Sequence, residues 1–191
     1  IKEELKKLPN KPGVYIMRDK NDTILYVGKA VILKNRVKQY FMKNNKTARI
    51  EKMVSLVELQ LFGHEITSID LSNNVILENL YLNDNQLSEI NVSENDNLIT
   101  LNIQKNNLTS IDVSRNVNLQ MLNVSENQLT SIDVRKNVNL LALYVSKNQL
   151  SELDLTYNNK LELVNSLGNN FSKTLNMYIG DKISLESVDD I

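Results

Sequence analysis

Chemistry has few places to reside in this chain. It holds no cysteine, which excludes disulfides, zinc–thiolate sites and cysteine nucleophiles, and a single histidine, His64. What remains are cations, carboxylates and phenols, and they are unevenly distributed. Residues 1–55 carry 14 Lys and Arg against 5 Asp and Glu, a net of +9, whereas residues 56–191 carry 8 against 18, a net of −10. A small basic region is the footprint of a phosphate-backbone binder, and the acidic remainder repels the same ligand. Lys29, Lys34, Arg36 and Lys38 fall on or just before one short helical stretch near residues 31–41, which makes them the nucleic-acid-binding candidates. A second set, Asp70, Asn91, Asp112, Asp133 and Asp154, recurs every 21 residues. Such a column can attract cations, but Asx side chains bond to nearby turn backbone, and the column reads first as a set of turn formers.

The elements that must hold these groups follow from a period. At a spacing of 21, Leu56, Leu77, Leu98, Leu119, Leu140 and Leu161 align without a gap. Three residues on stand Leu59, Leu80, Leu101, Leu122, Leu143 and Val164; five on stand Leu61, Leu82, Ile103, Val124, Val145 and the exception Ser166. Eight on come His64, Asn85, Asn106, Asn127, Asn148 and Asn169. Alternation of this kind gives a short strand with apolar side chains turned inward, and coils that repeat it stack their strands into a parallel sheet. The Asn column sits where backbone turns in, and an amide carries the donors and acceptor needed to satisfy buried peptide groups of adjacent coils. His64 occupies the first position of that column and reads as a variant of it. A second half-pattern, Ile69/Leu71/Asn74 through Leu153/Leu155/Asn158, predicts a second extended segment in each coil. At the end, Leu175, Met177, Ile179, Ile183 and Leu185 alternate in a tail that closes the last coil.

The columns match LxxLxLxxNxLxxIDVSxN and resemble the bacterial 21-residue class of leucine-rich repeats. The resemblance implies a leucine-rich-repeat solenoid, mostly β with parallel strands and little helix, that binds a protein or other macromolecule. The candidate surface is the outward column of the first strand, where Phe62, Tyr81, Met121, Leu141 and Tyr144 interrupt a polar face, since aromatic and Met side chains grouped on a surface act as interface anchors.

Ahead of the repeats, Pro12 to Met17 reads as a strand after a turn, and Ile24 to Gly28 as its hairpin partner across Lys20, Asn21 and Asp22. A helix carrying Arg36 and Tyr40 follows, then another around residues 47–54. LPNKPGVYIMRDKNDTILYVGKAVILKNRVKQYF resembles the opening of the GIY-YIG nuclease domain of the UvrC excinucleases, with GVY at 13–15 and YVG at 26–28. The resemblance implies a phosphodiesterase site. Tyr15 acts as or assists the general base, Tyr26 and Lys29 orient the site, Arg36 neutralises the scissile phosphate, and Tyr40 lines it. It also implies Mg²⁺ or Mn²⁺ on a glutamate roughly 35 to 40 residues after the arginine, on a helix after a third strand. That interval falls inside the first repeat here, so no metal is expected and the segment is expected to be catalytically silent; Glu58, Glu65 and Asp70 are the nearby carboxylates. The other reading is a working metal-dependent endonuclease of nucleotide-excision repair, and a third makes the junction at Ser55 a fusion of unrelated parts.

The resulting division is 1–55 as a truncated GIY-YIG-like segment forming a small α+β cap, 56–171 as six repeats, and 172–191 as a capping tail. Leu56 to Phe62 arrives where the resemblance places its third strand, so the first repeat strand is expected to be shared with the N-terminal hairpin, whose edge is otherwise open. The expected partners are a macromolecule on the repeat face and, weakly, DNA on the basic segment. No run of eighteen apolar residues and no leader pattern is visible, and a cytoplasmic site is expected, although the chain opens at Ile1 rather than Met.

Overall fold

The computed structural model describes residues 13–18, 24–30, 56–171 and 184–185. The strands are β1 (Gly13–Arg18), β2 (Ile24–Ala30), β3 (Glu58–Gln60), β4 (Asn79–Tyr81), β5 (Thr100–Asn102), β6 (Met121–Asn123), β7 (Ala142–Tyr144), β8 (Leu163–Asn165) and β9 (Ser184–Leu185). They make one sheet in the order β2-β1-β3-β4-β5-β6-β7-β8-β9. From β3 onward neighbours are parallel, and the register steps by one repeat: Leu59, Leu80, Leu101, Leu122, Leu143 and Val164 stand side by side. The sequence therefore folds as the solenoid its period implies, with no helix among residues 56–171. The tail joins it, because β9 pairs with β8 and sets Leu185 beside Val164.

Burial explains the period. Leu77, Leu80, Leu82 and Leu87 and their equivalents in the central coils are fully buried in one continuous core, while the strand residues between them are half exposed. No coil can bury its leucines alone, so each lends its neighbours an apolar wall.

Two expectations are corrected. Strands expected to span Leu77–Leu82 and its equivalents shorten to three residues, although inter-coil bonds such as Leu82 N–H to Asn102 O (2.7 Å) extend the pairing beyond them. The second segment of each coil forms no strand. Its backbone is taken up by turns instead: the N–H of Ser72, Ser93, Ser114, Arg135 and Thr156 donates to Oδ1 of Asp70, Asn91, Asp112, Asp133 and Asp154 at 2.9–3.0 Å. A second turn follows, as in Asn95 N–H to Val92 O. The Asx column is thus used for turn formation.

Two asparagine ladders run the length of the solenoid. In the first, Asn106 Oδ1 accepts from Leu87 N–H (2.9 Å) while its Nδ2 donates to Leu82 O and Ile103 O (both 3.0 Å). Asn85, Asn127, Asn148 and Asn169 repeat this arrangement. His64 is buried at the first position, its N–H held by Asn85 Oδ1 at 3.1 Å. In the second ladder Asn116 Nδ2 donates to Val92 O and Asn95 O in the preceding coil, and Asn95, Asn137 and Asn158 do likewise.

The shared strand is present. β1 lies antiparallel between β2 and β3, with Met17 in register with Leu59, Ile16 with Gln60 and Arg18 with Glu58. The first repeat strand therefore serves both as the opening coil and as third strand to the hairpin.

Candidate binding surface and the nuclease-like hairpin

The outward face of the sheet is a lattice built by the 21-residue stacking. One column reads Glu58, Asn79, Thr100, Met121, Ala142, Leu163 and the next Gln60, Tyr81, Asn102, Asn123, Tyr144, Asn165. Of the five residues selected from sequence, Met121, Leu141 and Tyr144 come together. Met121 is in register with Ala142 and Asn123 with Tyr144, while Leu141, 38% exposed, flanks Ala142. With half-buried Leu163 beside Ala142 they form an apolar area over coils four to six. Tyr81 lies in coil two, half-buried; burial raises its pKa, the Glu58 carboxylate adds to the rise, and a hydrogen bond with Thr100 opposes it. Phe62, 54% exposed, stands apart at the rim of coil one. Exposed Val75, Val117, Val138 and Tyr157 lie on the opposite turns, and sequence reasoning did not single them out. Isolated exposed apolar side chains carry little information.

Where each strand leaves the sheet the backbone turns left-handed. Gly63 (φ 70°), Asp84 (58°), Lys105 (56°), Glu126 (55°), Lys147 (52°) and Gly168 (67°) share this conformation, one per coil. Lys105 Nζ lies 2.8 Å from Asp84 Oδ1, and Lys147 Nζ 3.4 Å from Glu126 Oε2. This column was also missed from sequence, because it has no apolar period.

In the hairpin, Tyr15 pairs with Gly28 and Tyr26 with Met17, so the two tyrosines occupy neighbouring register positions on one face of the sheet. Lys29, paired with Val14, occupies the other face. Arg36, Tyr40, Lys34 and Lys38 lie outside the described residues, as do the two expected helices. The carboxylates considered as substitutes do not assemble. Asp70 accepts from Ser72 N–H (3.0 Å) and Oγ (2.7 Å), bonds that lower its pKa; Glu58 accepts from Gln60 Nε2; Glu65 sits in a left-handed turn at φ 55°. Among the described residues no three His, Asp or Glu side chains are grouped so that they could hold a metal ion. Among them, too, no helix is long and apolar enough to cross a membrane.

Comparison with known proteins finds likenesses for both the hairpin and the solenoid, and the two overlap in the first coils. Residues 11–86 match the model of the UvrC-like GIY-YIG domain, a stretch that runs past Ser55 through β3 and β4. UvrABC system protein C of Lachnospira eligens is 57% identical over 81 residues, 42% of this chain and 13% of that protein. The same protein of Acetivibrio thermocellus is 51% identical over 81 residues, with the same coverage. The chain thus spans about an eighth of the length of these relatives. Among solved structures, the functional domain of InlJ from Listeria monocytogenes, which includes a cysteine ladder, superposes with a TM-score of 0.62 at 32% identity, over 64% of this chain and 27% of that one. An internalin, InlF, from the same species gives 0.67 at 21% identity over 76% and 45%, a likeness of fold alone. This chain has asparagine ladders and no cysteine. It therefore joins a UvrC-like GIY-YIG segment, matched over residues 11–86, to a parallel-stranded solenoid of the leucine-rich-repeat kind.

Proposed function

We propose that this protein is a binding module whose outward sheet face takes a protein partner, with the nuclease-like hairpin serving as its N-terminal cap. The observation that carries this is the apolar area of Met121, Leu141, Ala142, Tyr144 and Leu163 set on a rigid sheet of otherwise polar residues. Aromatic and Met side chains presented on a packed scaffold serve as interface anchors. Comparing proteins captured from a bacterial lysate by wild type and by Tyr144→Ala/Leu141→Ser tests it: a partner retained by the first is lost by the second. Identical capture by both sinks the reading.

The hairpin is proposed to be catalytically silent. Where the resemblance puts a helix bearing a metal-binding glutamate, the chain forms the turns of coil one. A phosphodiesterase without an anchored cation loses its main means of stabilising the leaving oxygen. The charge of +9 on residues 1–55 still supports weak, sequence-independent contact with duplex DNA, of order 10⁻⁴ to 10⁻⁶ M and steeply salt-dependent. Supercoiled and damaged plasmid, incubated with the full chain and Mg²⁺ or Mn²⁺, is expected to be retarded on a gel at low salt and to remain uncut. Metal-dependent nicking abolished by Arg36→Ala would overturn this in favour of an endonuclease.

A further inference from the structure

The left-handed column at the rim shows a pattern the fold does not require. Glycine adopts this conformation freely and other residues do so at a cost, yet only the two end coils have glycine. Space does not dictate that choice, since a Cβ on Gly63 or Gly168 comes no nearer than 3.8 and 3.4 Å to any other residue. The four central coils carry Asp84, Lys105, Glu126 and Lys147, alternating in sign. The Lys105–Asp84 pair is exposed, with side chains 63% and 55% accessible, and a pair so placed adds little to stability; Glu126, which pairs with exposed Lys147 and also accepts from Gln104 Nε2, is half-buried.

An alternating column of even length is its own complement when turned end for end. A two-fold axis passing between coils three and four sets Asp84 opposite Lys147 of a second copy and Lys105 opposite Glu126 of that copy, giving four intermolecular pairs. The adjoining column obeys the same operation. Phe62, the exposed aromatic of coil one, meets Leu167 of the second copy at each end, and between them the column is polar, with Asn83, Gln104, Ser125 and Ser146. The end glycines, Gly63 opposite Gly168, leave room for the ring. We propose that this rim is a two-fold interface between two copies of the chain. One rotation thus satisfies the charge order, the position of the exposed Phe and the placement of both glycines. At about 4.8 Å per coil the strip is roughly 25 Å long. One or two side chains wide, it buries far less than the roughly 800 Å² per partner of a stable complex, so the dimer is weak and transient.

Sedimentation equilibrium of the full chain, from about 10 to 500 µM, at ionic strengths where the screening length is about 14 Å and about 4 Å, reads it out. A monomer–dimer equilibrium is expected, weakened about tenfold by the higher salt. Lys105→Glu alone and Glu126→Lys alone each set like charges across the axis and abolish the dimer. An equimolar mixture of these two variants restores it, and so does the double variant Lys105→Glu/Glu126→Lys, which keeps the intermolecular complement while putting like charges beside Asp84 and Lys147 within the chain. Phe62→Ser weakens association about fivefold or more, as loss of a buried aromatic does. A protein that stays monomeric throughout overturns the proposal. So does association indifferent to Lys105→Glu, as the basic N-terminal segment of one copy meeting the acidic solenoid of another would give, and so does a mixture that fails to recover. Because only folded variants can complement one another, recovery also excludes misfolding as the cause of loss.

Discussion

Asp133 shows how much one side chain of this repeat is asked to do. Its Oδ1 accepts from the backbone N–H of Arg135 at 3.0 Å and from Nε at 3.0 Å, and its Oδ2 from Nη2 at 2.7 Å. The guanidinium, and after it the turn N–H, hold the carboxyl at about 2 against an ordinary 3.8. Since the folded value is depressed, the stabilising contribution is present above about pH 4 and is lost as pH falls through about 2. The group is exposed, so the energy involved is small. A carbon-detected carboxyl titration is expected to place the Asp133 midpoint near 2, and Arg135→Ala to move it up without reaching the free value, because the turn N–H stays. A wild-type midpoint at the ordinary carboxylate value would show that the pair does not form in solution. The Asx role itself was legible in the sequence, since Asn91 fills the same column and keeps the turn without a charge.

At the scale of the element, the two asparagine ladders look alike in sequence and differ in chemistry. Asn106 serves a buried N–H and two buried carbonyls, so every polar atom of its amide is matched. Asn116 donates to two carbonyls, but its Oδ1 is buried with no hydrogen-bond partner in the protein, as are those of Asn95, Asn137 and Asn158. Substituting alanine at 106 orphans the Leu87 N–H, while Leu82 O and Ile103 O keep the amides of Asn85 and Asn127; at 116 it orphans no backbone group, because Val92 O and Asn95 O keep the N–H groups of Asn95 and Leu98, and it removes an unsatisfied acceptor. Urea unfolding is expected to show Asn106→Ala costing about 1 to 3 kcal/mol more than Asn116→Ala, the cost of one buried group left unpaired. Equal costs, or the reverse order, would mean the acceptors of the second ladder are satisfied in solution. The period predicted the first column as a ladder and gave the second only as part of an extended segment, since which backbone groups face each amide depends on how the coil turns. For the same reason the second segment reads as a strand from its Ile–x–Val alternation and is not one. Asx turns engage its backbone locally, and alternation reports burial, not pairing.

For the whole molecule, the amino-acid sequence alone determined the solenoid, because a leucine column repeated six times at one spacing can be buried only by stacking, and each buried position was fixed by side-chain hydrophobicity. It also supplied the nuclease-like hairpin through local motifs, PGVY and LYVGKA, and the reason to expect a shared strand, an edge that needed covering. Tertiary structure decided how the parts join. Met17 against Leu59 is a pairing of peptide groups, and backbone hydrogen bonding leaves only a faint trace in side-chain identity. It decided too that Gly63, Asp84, Lys105, Glu126, Lys147 and Gly168 form a line. Twenty-one residues apart along the chain, they become neighbours only when the coils stack, and their left-handed backbone is visible only in φ. Hydrophobic burial is written residue by residue, so it can be read from a sequence; order of charge in space arises only once the fold has brought distant residues to a common edge.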